Sequence, residues 1–332
     1  MKQATIKDIA LNLNLSVSTV SRALSNHPDI SDKTKELVKN TAKLLGYRLN
    51  IVARSLKSSQ SKQIGVVVPE IKHDFFANAI SGIEEIAYQK GYTVIITQSN
   101  ENSEREKINL HSLFLNRVAG IIVSISQSTT SREPFRELLA DGMKMVFFDR
   151  VFDDLEAYKV VVDDFDAAYR AVEYLAKKGY KKIIHLAGPE NLSVCRNRKL
   201  GYEKAMSVFN LLPYSVDGGM HEQDGFESMS DLLNKGLLPE AVFAVNDPVA
   251  IGAFKKLKEN NIKIPGQTAI IGFSNNPVTE VVEPSLTTID QPAFQMGKAA
   301  AGLLFDQIES KEMKLENKLI TLKTKLIIRQ SA

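Results

Sequence analysis

The 332-residue sequence has a single cysteine, Cys195, and no tryptophan. One thiol cannot form an internal disulfide, which fits a reducing cytoplasm. The sequence also lacks any stretch of about 18 uncharged apolar residues, and this argues against a membrane span. The opening residues, MKQATIKDIA, hold no long apolar run of the kind found in a secretory signal. With 44% hydrophobic and 24% charged residues, the composition is typical of a soluble globular protein of two or three domains.

The motifs of several enzyme classes are missing as well. There is no G-x-G-x-x-G, no G-x-x-x-x-G-K-[ST] and no G-x-S-x-G, which argues against dinucleotide, P-loop and α/β-hydrolase chemistry. Arg196 beside Cys195 can lower the pKa of the thiol, but no base partner is evident. We therefore expect that the protein is not an enzyme and that it binds neither a cofactor nor a metal ion. The histidines show no metal-ligand spacing: His27, His73, His111, His185 and His221.

The net charge of +3 conceals an uneven distribution. Residues 1–62 contain 11 Lys and Arg against 4 Asp and Glu, a balance of +7, whereas the remainder carries −4. A small basic segment on a mildly acidic body favours a polyanion as partner, and nucleic acid is the commonest one. The alternative is a solvated basic face without a partner.

Three short helical patterns occupy the basic segment. The first, 5–14, follows a plausible Thr5 cap, and the third, 31–47, follows Ser31, carries apolar residues such as Leu37, Val38 and Leu44, and stops at Gly46. Between them, LSVSTVSRAL (15–24) predicts a helix capped by Ser16.

This second helix has the character of a DNA-reading element. Val20 and Leu24 are expected to face inward, which leaves Val17, Ser18 and Arg22 outside. Short hydroxyl side chains keep a helix slim enough for a major groove about 12 Å wide, and an arginine can donate twice to guanine. The pattern therefore predicts a helix-turn-helix. The alternative is a helical hairpin with a serine-rich solvent face.

From residue 63 the pattern changes to nine short β-rich runs that alternate with amphipathic helices. They predict two doubly wound parallel-sheet subdomains, whose ligand sites lie beyond the carboxyl ends of the strands. The runs are 64–69, 92–98, 120–125, 144–149, 159–164, 182–188, 241–247, 268–273 and 286–290.

The N-terminal segment resembles the headpiece of the lactose-repressor (LacI/GalR) family of bacterial transcription regulators. The resemblance depends on S-x-x-T-V-S-R at 16–22, S-x-x-T at 31–34 and G-Y at 46–47, and it extends over essentially the whole chain. It implies a headpiece at 1–47, a hinge at 48–61 with a hinge helix at 50–57, and an effector-binding and dimerisation core at 62–332. The residues nominated for DNA binding are Thr5, Ser16, Val17, Ser18, Thr19, Ser21, Arg22, Asn26, Ser31, Thr34, Tyr47, Asn50, Ala53, Arg54, Leu56 and Lys57.

In the hinge, the resemblance makes Leu56 the leucine that wedges between base steps of the minor groove, with Ala53 beside it. An ordinary linker leucine is the alternative. Leu49 stands where many relatives have proline, so the hinge enters its helix less rigidly.

The core resembles the periplasmic sugar-binding-protein fold of this family, with two lobes, three crossovers and an effector in the cleft between them. The N-lobe is expected at 62–160 and 292–320, and the C-lobe at 163–289 and 323–332. Carboxylates and a guanidinium suit hydroxyl groups, and an aromatic ring can cover the apolar face of a sugar. Ser274 and Met220 depart from residues common in sugar-binding relatives. The nominated effector residues are Asp74, Phe75, Phe76, Asp149, Arg150, Arg196, Met220, Asn246, Asp247, Asn275 and Gln291.

Several of these residues have a second interpretation. Phe75 and Phe76 suit core positions, Asp149 and Asp247 suit helix caps, and Arg196 suits a surface ion pair. Taken together, the sequence predicts a cytoplasmic, nucleoid-associated transcription regulator that binds a pseudo-palindromic operator as a homodimer. A repressor is favoured over an activator, and a sugar or related metabolite is expected to control it. A sugar-binding protein of transport or sensing, without DNA regulation, is the alternative.

Overall fold

A computed structural model describes residues 4–47, 61–310 and 319–332. The chain divides into two units, 1–59 and 60–332, which are treated separately below. Within the described ranges, no helix is long and apolar enough to cross a bilayer.

Residues 4–47 of the first unit form three helices, α1 (Ile6–Leu13), α2 (Val17–Leu24) and α3 (Asp32–Leu44). Serine hydroxyls cap helices α2 and α3. The Ser16 Oγ accepts a hydrogen bond from the Thr19 N–H at 3.0 Å, and the Ser31 Oγ accepts one from the Thr34 N–H at 3.3 Å. The α1–α2 turn passes through Asn14, whose φ of 52° lies in the left-handed region. These bounds agree with the three predicted helical patterns.

A small apolar core joins the three helices. Ile9, Val20 and Val38 are completely buried, one from each helix, and Ala10 and Ala23 fill the space between them. Leu37 and Leu44 of α3 lie outside this core, since they are 51% and 86% exposed. The buried face of α3 is made by Val38, Thr41 and Ala42. These small side chains fill the narrow space between helices that pack closely.

Two six-stranded sheets make the described part of the second unit. The strands of the first sheet are β1 (Gln63–Val68), β2 (Thr93–Gln98), β3 (Ile121–Val123), β4 (Met145–Phe148), β5 (Tyr158–Val162) and β11 (Leu319–Leu322). This sheet is parallel throughout, in the order β11-β5-β4-β3-β1-β2. Its helices are α4 (Asp74–Gln89), α5 (Ser103–Leu115), α6 (Glu133–Ala140) and α12 (Ala293–Glu309).

The strands of the second sheet are β6 (Ile183–Ala187), β7 (Tyr214–Asp217), β8 (Ala241–Ala244), β9 (Ala269–Ser274), β10 (Thr287–Asp290) and β12 (Lys325–Ile327). This sheet has the order β12-β10-β9-β8-β6-β7 and is parallel except for the β10–β12 pair. Its helices are α7 (Asp164–Lys177), α8 (Ser193–Val208), α9 (Glu222–Asn234), α10 (Asp247–Glu259) and α11 (Val278–Val281).

The chain passes between the two sheets after β5, after β10 and after β11. These three connections fall at 163, 291–292 and 323–324, within a few residues of the expected crossovers. Each sheet therefore combines distant parts of the sequence, which we call the N-lobe (first sheet) and the C-lobe (second sheet).

Three observed strands were not among the nine predicted runs: β7, β11 and β12. All three lie at sheet edges and carry exposed or half-buried residues. The nine predicted strands include β1, β4, β6 and β8, whose residues are buried almost without interruption. Continuous apolar runs mark strands covered on both faces, whereas a short edge strand has no such pattern.

Candidate effector cleft and DNA-binding face

A cavity lies between the two lobes, where the carboxyl ends of strands from both sheets meet. Every side chain that lines it belongs to a segment that ends or follows a strand. The lining residues are His73, Phe75, Phe76, Asp149, Arg150, Val194, Arg198, Met220, Asn246, Pro248, Ser274, Asn276 and Gln291.

Seven of the eleven nominated effector residues line this cavity: Phe75, Phe76, Asp149, Arg150, Met220, Asn246 and Gln291. Phe75 and Phe76 open α4 and contact each other edge to face, with centroids 5.2 Å apart. They also belong to the N-lobe core. The two interpretations of these aromatic residues are therefore compatible, since each ring contacts the core and the cavity.

A polar network closes one side of the cavity. Gln291, in the connection after β10, donates from Nε2 to Asp149 Oδ1 at 3.1 Å and accepts from the Ser274 hydroxyl at 3.0 Å. Asp149 is buried, and burial raises the pKa of its carboxyl although Arg150 and Arg198 favour the charged form. Asp149 and Ser274 have φ values of 57° and 123°, a conformation that costs energy for residues other than glycine and is often found at functional sites.

Arg150 is buried in the cavity wall and its charge is already paired. Its Nη1 lies 2.8 Å from Glu101 Oε1, and its guanidinium lies over the Phe76 ring at 5.6 Å. Both residues of this ion pair belong to the N-lobe, and the pair holds the Arg150 side chain in place next to Asp149.

The nomination of Arg196 is corrected by the structure, because the arginine in the cavity is Arg198. Arg196 is exposed, contacts Asp153 of the N-lobe and donates to the Glu190 carbonyl. Arg198 is 2% exposed and pairs with Asp164 at 2.7 Å. Residues two positions apart in an α-helix, such as Arg196 and Arg198, point in directions that differ by about 200° around the helix axis. Only one of these two arginines can therefore face the cleft. The surface ion pair considered for Arg196 is what the structure shows.

Asp74, Asp247 and Asn275 also lie outside this cavity. Asp74 is exposed at the start of α4. Asp247 is completely buried below the cleft, where it accepts from Thr288 and from a backbone N–H. Burial raises the pKa of Asp247 to about 6. The neighbour Asn246 caps α10, and its amide also donates to the Met220 carbonyl.

Asn275 is turned towards the edge of the C-lobe. Its amide donates to Asp290, and its carbonyl oxygen accepts from Arg329. The next residue, Asn276, takes the position in the cavity wall. The cavity lining residues that were not nominated are His73, Val194, Arg198, Pro248, Ser274 and Asn276. Each lies one or two positions from a nominated residue, because the motif does not show which of two neighbouring side chains in a helix or turn faces the cleft.

The thiol of Cys195 is not activated. It is buried, it contacts the Met220 sulfur at 3.5 Å, and burial raises its pKa to about 12. The lowering of the thiol pKa expected from a neighbouring arginine does not occur, because Arg196 points to the surface. Loss of hydration of the buried thiolate, which raises the pKa, is the larger effect.

At the rim of the cleft, Glu70 and His73 of the N-lobe meet His221 of the C-lobe. One Glu70 oxygen, Oε2, lies 2.6 Å from His73 Nε2 and 3.2 Å from His221 Nε2. Burial of Glu70 favours its neutral form, but the Lys72 ammonium and the two imidazoles outweigh it and lower the pKa of the carboxyl. Burial also lowers the pKa of His73, although Glu70 opposes this.

In the headpiece, α2 presents one face to solvent. Val17 is 42% exposed, Ser18 and Arg22 are exposed, and Ser21 is half-buried. Arg22 forms no ion pair within residues 4–47, so its guanidinium is available. The hydroxyls of Ser16 and Thr19 bond each other at 2.8 Å at the start of the helix.

The other nominated headpiece residues have structural as well as exposed positions. Thr5 bonds Asp8 at the start of α1, and Ser31 and Thr34 form the cap of α3. Asn26 has a left-handed φ of 55°, and Tyr47 packs half-buried on the headpiece core. The nominated hinge residues Asn50, Ala53, Arg54, Leu56 and Lys57 lie outside the described residues.

Comparison with known proteins agrees with this arrangement. The family model of bacterial regulatory proteins of the lacI family matches residues 5–50. The model of periplasmic binding proteins and the sugar-binding domain of the LacI family matches residues 61–330. The chain belongs to the LacI family. It is a DNA-binding transcriptional regulator with a helix-turn-helix headpiece and a core of the periplasmic-binding-protein fold.

Curated relatives of this LacI-family chain are similar over their whole length. The HTH-type transcriptional repressor CytR of Escherichia coli K12 is 34% identical over 99% of the chain and 96% of its own length. The HTH-type transcriptional repressor PurR of Histophilus somni strain 2336 is 32% identical over 99% and 98%.

Solved structures show the same fold. The lac repressor dimer bound to operator and the anti-inducer ONPF is 25% identical, with a TM-score of 0.87 over 99% of both chains. A LacI-family regulator from Enterococcus faecium with bound ribose is 29% identical, with a TM-score of 0.72 over 81% of this chain and 98% of that one.

Proposed function

We propose that this protein represses transcription as a homodimer on a pseudo-palindromic operator, and that a sugar or sugar derivative in the cavity between its lobes sets its operator affinity. The observation that carries the proposal is the cavity itself, which both lobes line and which holds Arg198, Asp149 and Gln291 beside two phenylalanines. A ligand that contacts both lobes only when they are closed stabilises the closed arrangement relative to the open one.

The chemistry of the wall favours a polyhydroxylated ligand. Arg198 offers fixed N–H donors, Asp149 offers acceptors, and the amides of Gln291 and Asn276 offer both. Phe76 supplies an apolar surface of the kind that covers a sugar ring. The similar Enterococcus faecium regulator, whose structure contains ribose, supports a monosaccharide or a derivative of one.

The size of the cavity has a consequence for the mechanism. Its volume is about 50 Å³, far below the roughly 300 Å³ of ordinary small-molecule sites. An effector of several carbons therefore enters only when the lobes move apart or the wall side chains rotate. Contacts such as that between Gln291 and Asp149 then break or re-form as the ligand binds.

Control of DNA binding follows from linkage. If the two lobe arrangements differ in how they space the headpieces of a dimer, an effector changes operator affinity by the ratio of its affinities for those arrangements. We place this activity in the cytoplasm, at the nucleoid, and we assign no catalysed reaction to the protein.

A thermal-shift screen with sugars, sugar phosphates, nucleosides and nucleobases tests the proposal. A ligand at 100 times its Kd adds about 2.7 kcal/mol to the free energy of unfolding, a shift of several degrees for a body of this size. Fluorescence anisotropy with genomic DNA fragments, with and without the best ligand, then measures its effect on DNA affinity. No sequence-preferring DNA binding, or turnover of the ligand by the purified protein, would contradict the proposal.

A further inference from the structure

The rim cluster, defined as Glu70, His73 and His221, brings three potential metal ligands to one point. One side-chain donor atom from each residue lies within 4.8 Å of the other two. Glu70 is buried, whereas the side chains of His73 and His221 are 21% and 33% exposed. The two histidines are therefore accessible to a small ion from solvent, and His73 also lines the effector cavity.

The donor set suits a transition metal. A tetrahedral zinc ion with ligands at about 2.0–2.2 Å needs donor atoms about 3.3 Å apart. Glu70 Oε2 lies 3.2 Å from His221 Nε2, which matches this spacing, and 2.6 Å from His73 Nε2, so the His73 ring has to shift slightly away from the carboxylate. Two imidazoles and a carboxylate favour zinc and its neighbours over calcium and magnesium, which prefer oxygen. Water would complete the coordination shell of such an ion.

The surroundings of His221 support the same conclusion. Asp224 Oδ2 lies 3.4 Å from His221 Nδ1 and is held in place by the His221 backbone N–H at 2.8 Å. When Nε2 binds a metal ion, the ring proton has to lie on Nδ1, next to this carboxylate, and such a carboxylate–imidazole pair is found at many zinc sites. On the other side, Lys72 occupies only Glu70 Oε1, at 3.0 Å, so Oε2 stays directed at the two histidines.

We propose that the rim cluster binds one divalent transition-metal ion, with Zn²⁺ as the typical case, through Glu70 Oε2, His73 Nε2 and His221 Nε2. The ion takes the place of the protons that the two imidazoles share with the carboxylate. Its affinity therefore falls in acid, because protons compete for the imidazole nitrogens.

The site joins the two lobes. Glu70 and His73 lie between β1 and α4 of the N-lobe, and His221 precedes α9 of the C-lobe. A bound ion thus favours the arrangement in which the rim is closed. This regulatory consequence rests on the proposed function: the ion acts as a second input beside the effector, whereas metal binding itself requires neither DNA nor effector.

Equilibrium dialysis of the full chain without a polyhistidine tag, at pH 7.5 after removal of metals by chelation, tests the site. We expect one Zn²⁺ per chain, and Co²⁺ in its place should give the visible absorption of a tetrahedral ion. His73→Ala and His221→Ala should each weaken binding by at least 10–100-fold, the effect reported for outer-shell partners alone. His73 makes no side-chain cap for α4, so its replacement spares that helix.

Two controls make the result specific. His111→Ala removes an exposed histidine of α5 that is outside the cluster and should leave the affinity unchanged. Lys72→Met removes a positive charge next to the ion and should tighten binding by at least about five-fold. Equal binding by the wild type and a His73→Ala/His221→Ala double variant would overturn the proposal. Because the assay contains no DNA, that outcome would leave the proposed repressor function intact.

Discussion

Arg198 and Asp164 form an ion pair at 2.7 Å, with side chains only 3% and 4% exposed. Arg198 also donates to the Val245 carbonyl at 2.7 Å, and its guanidinium lies 3.6 Å from the centroid of the Phe273 ring. The carboxylate, the carbonyl and the ring hold the guanidinium in one orientation. The cleft therefore contains a donor whose orientation is set before any ligand arrives, which reduces the entropy lost on binding.

Replacing Arg198 is expected to weaken effector binding. Arg198→Lys keeps a positive charge but loses the planar fork that donates in parallel, so effector affinity should fall by at least ten-fold while DNA binding remains. Arg198→Ala should also lower the free energy of unfolding by about 3–5 kcal/mol, because Asp164 is left buried without a partner. Ligand-dependent thermal shifts and urea denaturation measure the two effects.

Arg196→Ala is the matched control, two residues earlier on the same helix. Its guanidinium is exposed and contacts Asp153 at the surface, where an ion pair contributes at most about 1 kcal/mol. An effector response lost in Arg196→Ala but normal in Arg198→Lys would place the ligand at the rim instead of in the cavity.

Arg22→Ala tests the DNA-reading face of α2. The exposed guanidinium can contact a base edge, and loss of such a contact costs about 1–3 kcal/mol of discrimination. The ratio of affinities for operator and scrambled duplex, measured by anisotropy at fixed salt, should fall accordingly. Lys39→Ala, at an exposed position of α3, should change both affinities alike or not at all. An unchanged ratio in Arg22→Ala would refute its role in specificity.

The carboxyl of Glu106 should make the stability of the core depend on pH. It is buried, and burial raises its pKa to about 7, although Thr129 and Ser126 donate to it. Between about pH 5 and 7 the native state retains a proton that the unfolded state has lost. The contribution of Glu106 to the free energy of unfolding therefore falls as pH rises, by up to about 3 kcal/mol.

Glu106→Gln removes this titration. The stability of the variant relative to the wild type should rise from pH 5 to pH 8 in urea denaturation series. Glu104→Gln, exposed on the same helix, is the control. A difference between Glu106→Gln and the wild type that does not vary with pH would show that the carboxyl titrates normally.

Two glycines of α12 should respond oppositely to alanine. A Cβ at Gly297 would lie 2.0 Å from the backbone oxygen of Ala79 in α4, whereas a Cβ at Gly302 meets nothing within 4 Å. Gly297→Ala should destabilise the core by about 1–3 kcal/mol through overpacking, and Gly302→Ala should stabilise it by about 0.5–1 kcal/mol through helix propensity. Thermal melting of the pair checks both signs, and equal shifts would contradict the close contact.

The local structure of the headpiece was predictable because its signals are close in sequence. Ser16 and Ser31 each accept from a backbone N–H three residues later, so the helix starts follow from neighbouring residues alone. Burial was less predictable: Leu44 has the size of a core residue but is exposed. Whether a face of α3 is buried depends on how close the other two helices lie.

In the core, the buried strands and the seven nominated residues at strand ends could be inferred from pattern and resemblance, since parallel strands bring their carboxyl ends to one edge. The choice between Arg196 and Arg198 could not, because it depends on the angle at which α8 meets the cleft.

By itself, the sequence determined the family, the basic helix-turn-helix segment and the alternation of strands and helices that gives two parallel sheets. All of these follow from spacings of a few residues. Only the tertiary structure decided which side chains share a site. Glu70 and His221 belong to different lobes and have no common motif, yet the crossovers that join the lobes bring their polar atoms within 3.2 Å. Proximity of this kind results from packing over the whole core, which no local pattern records.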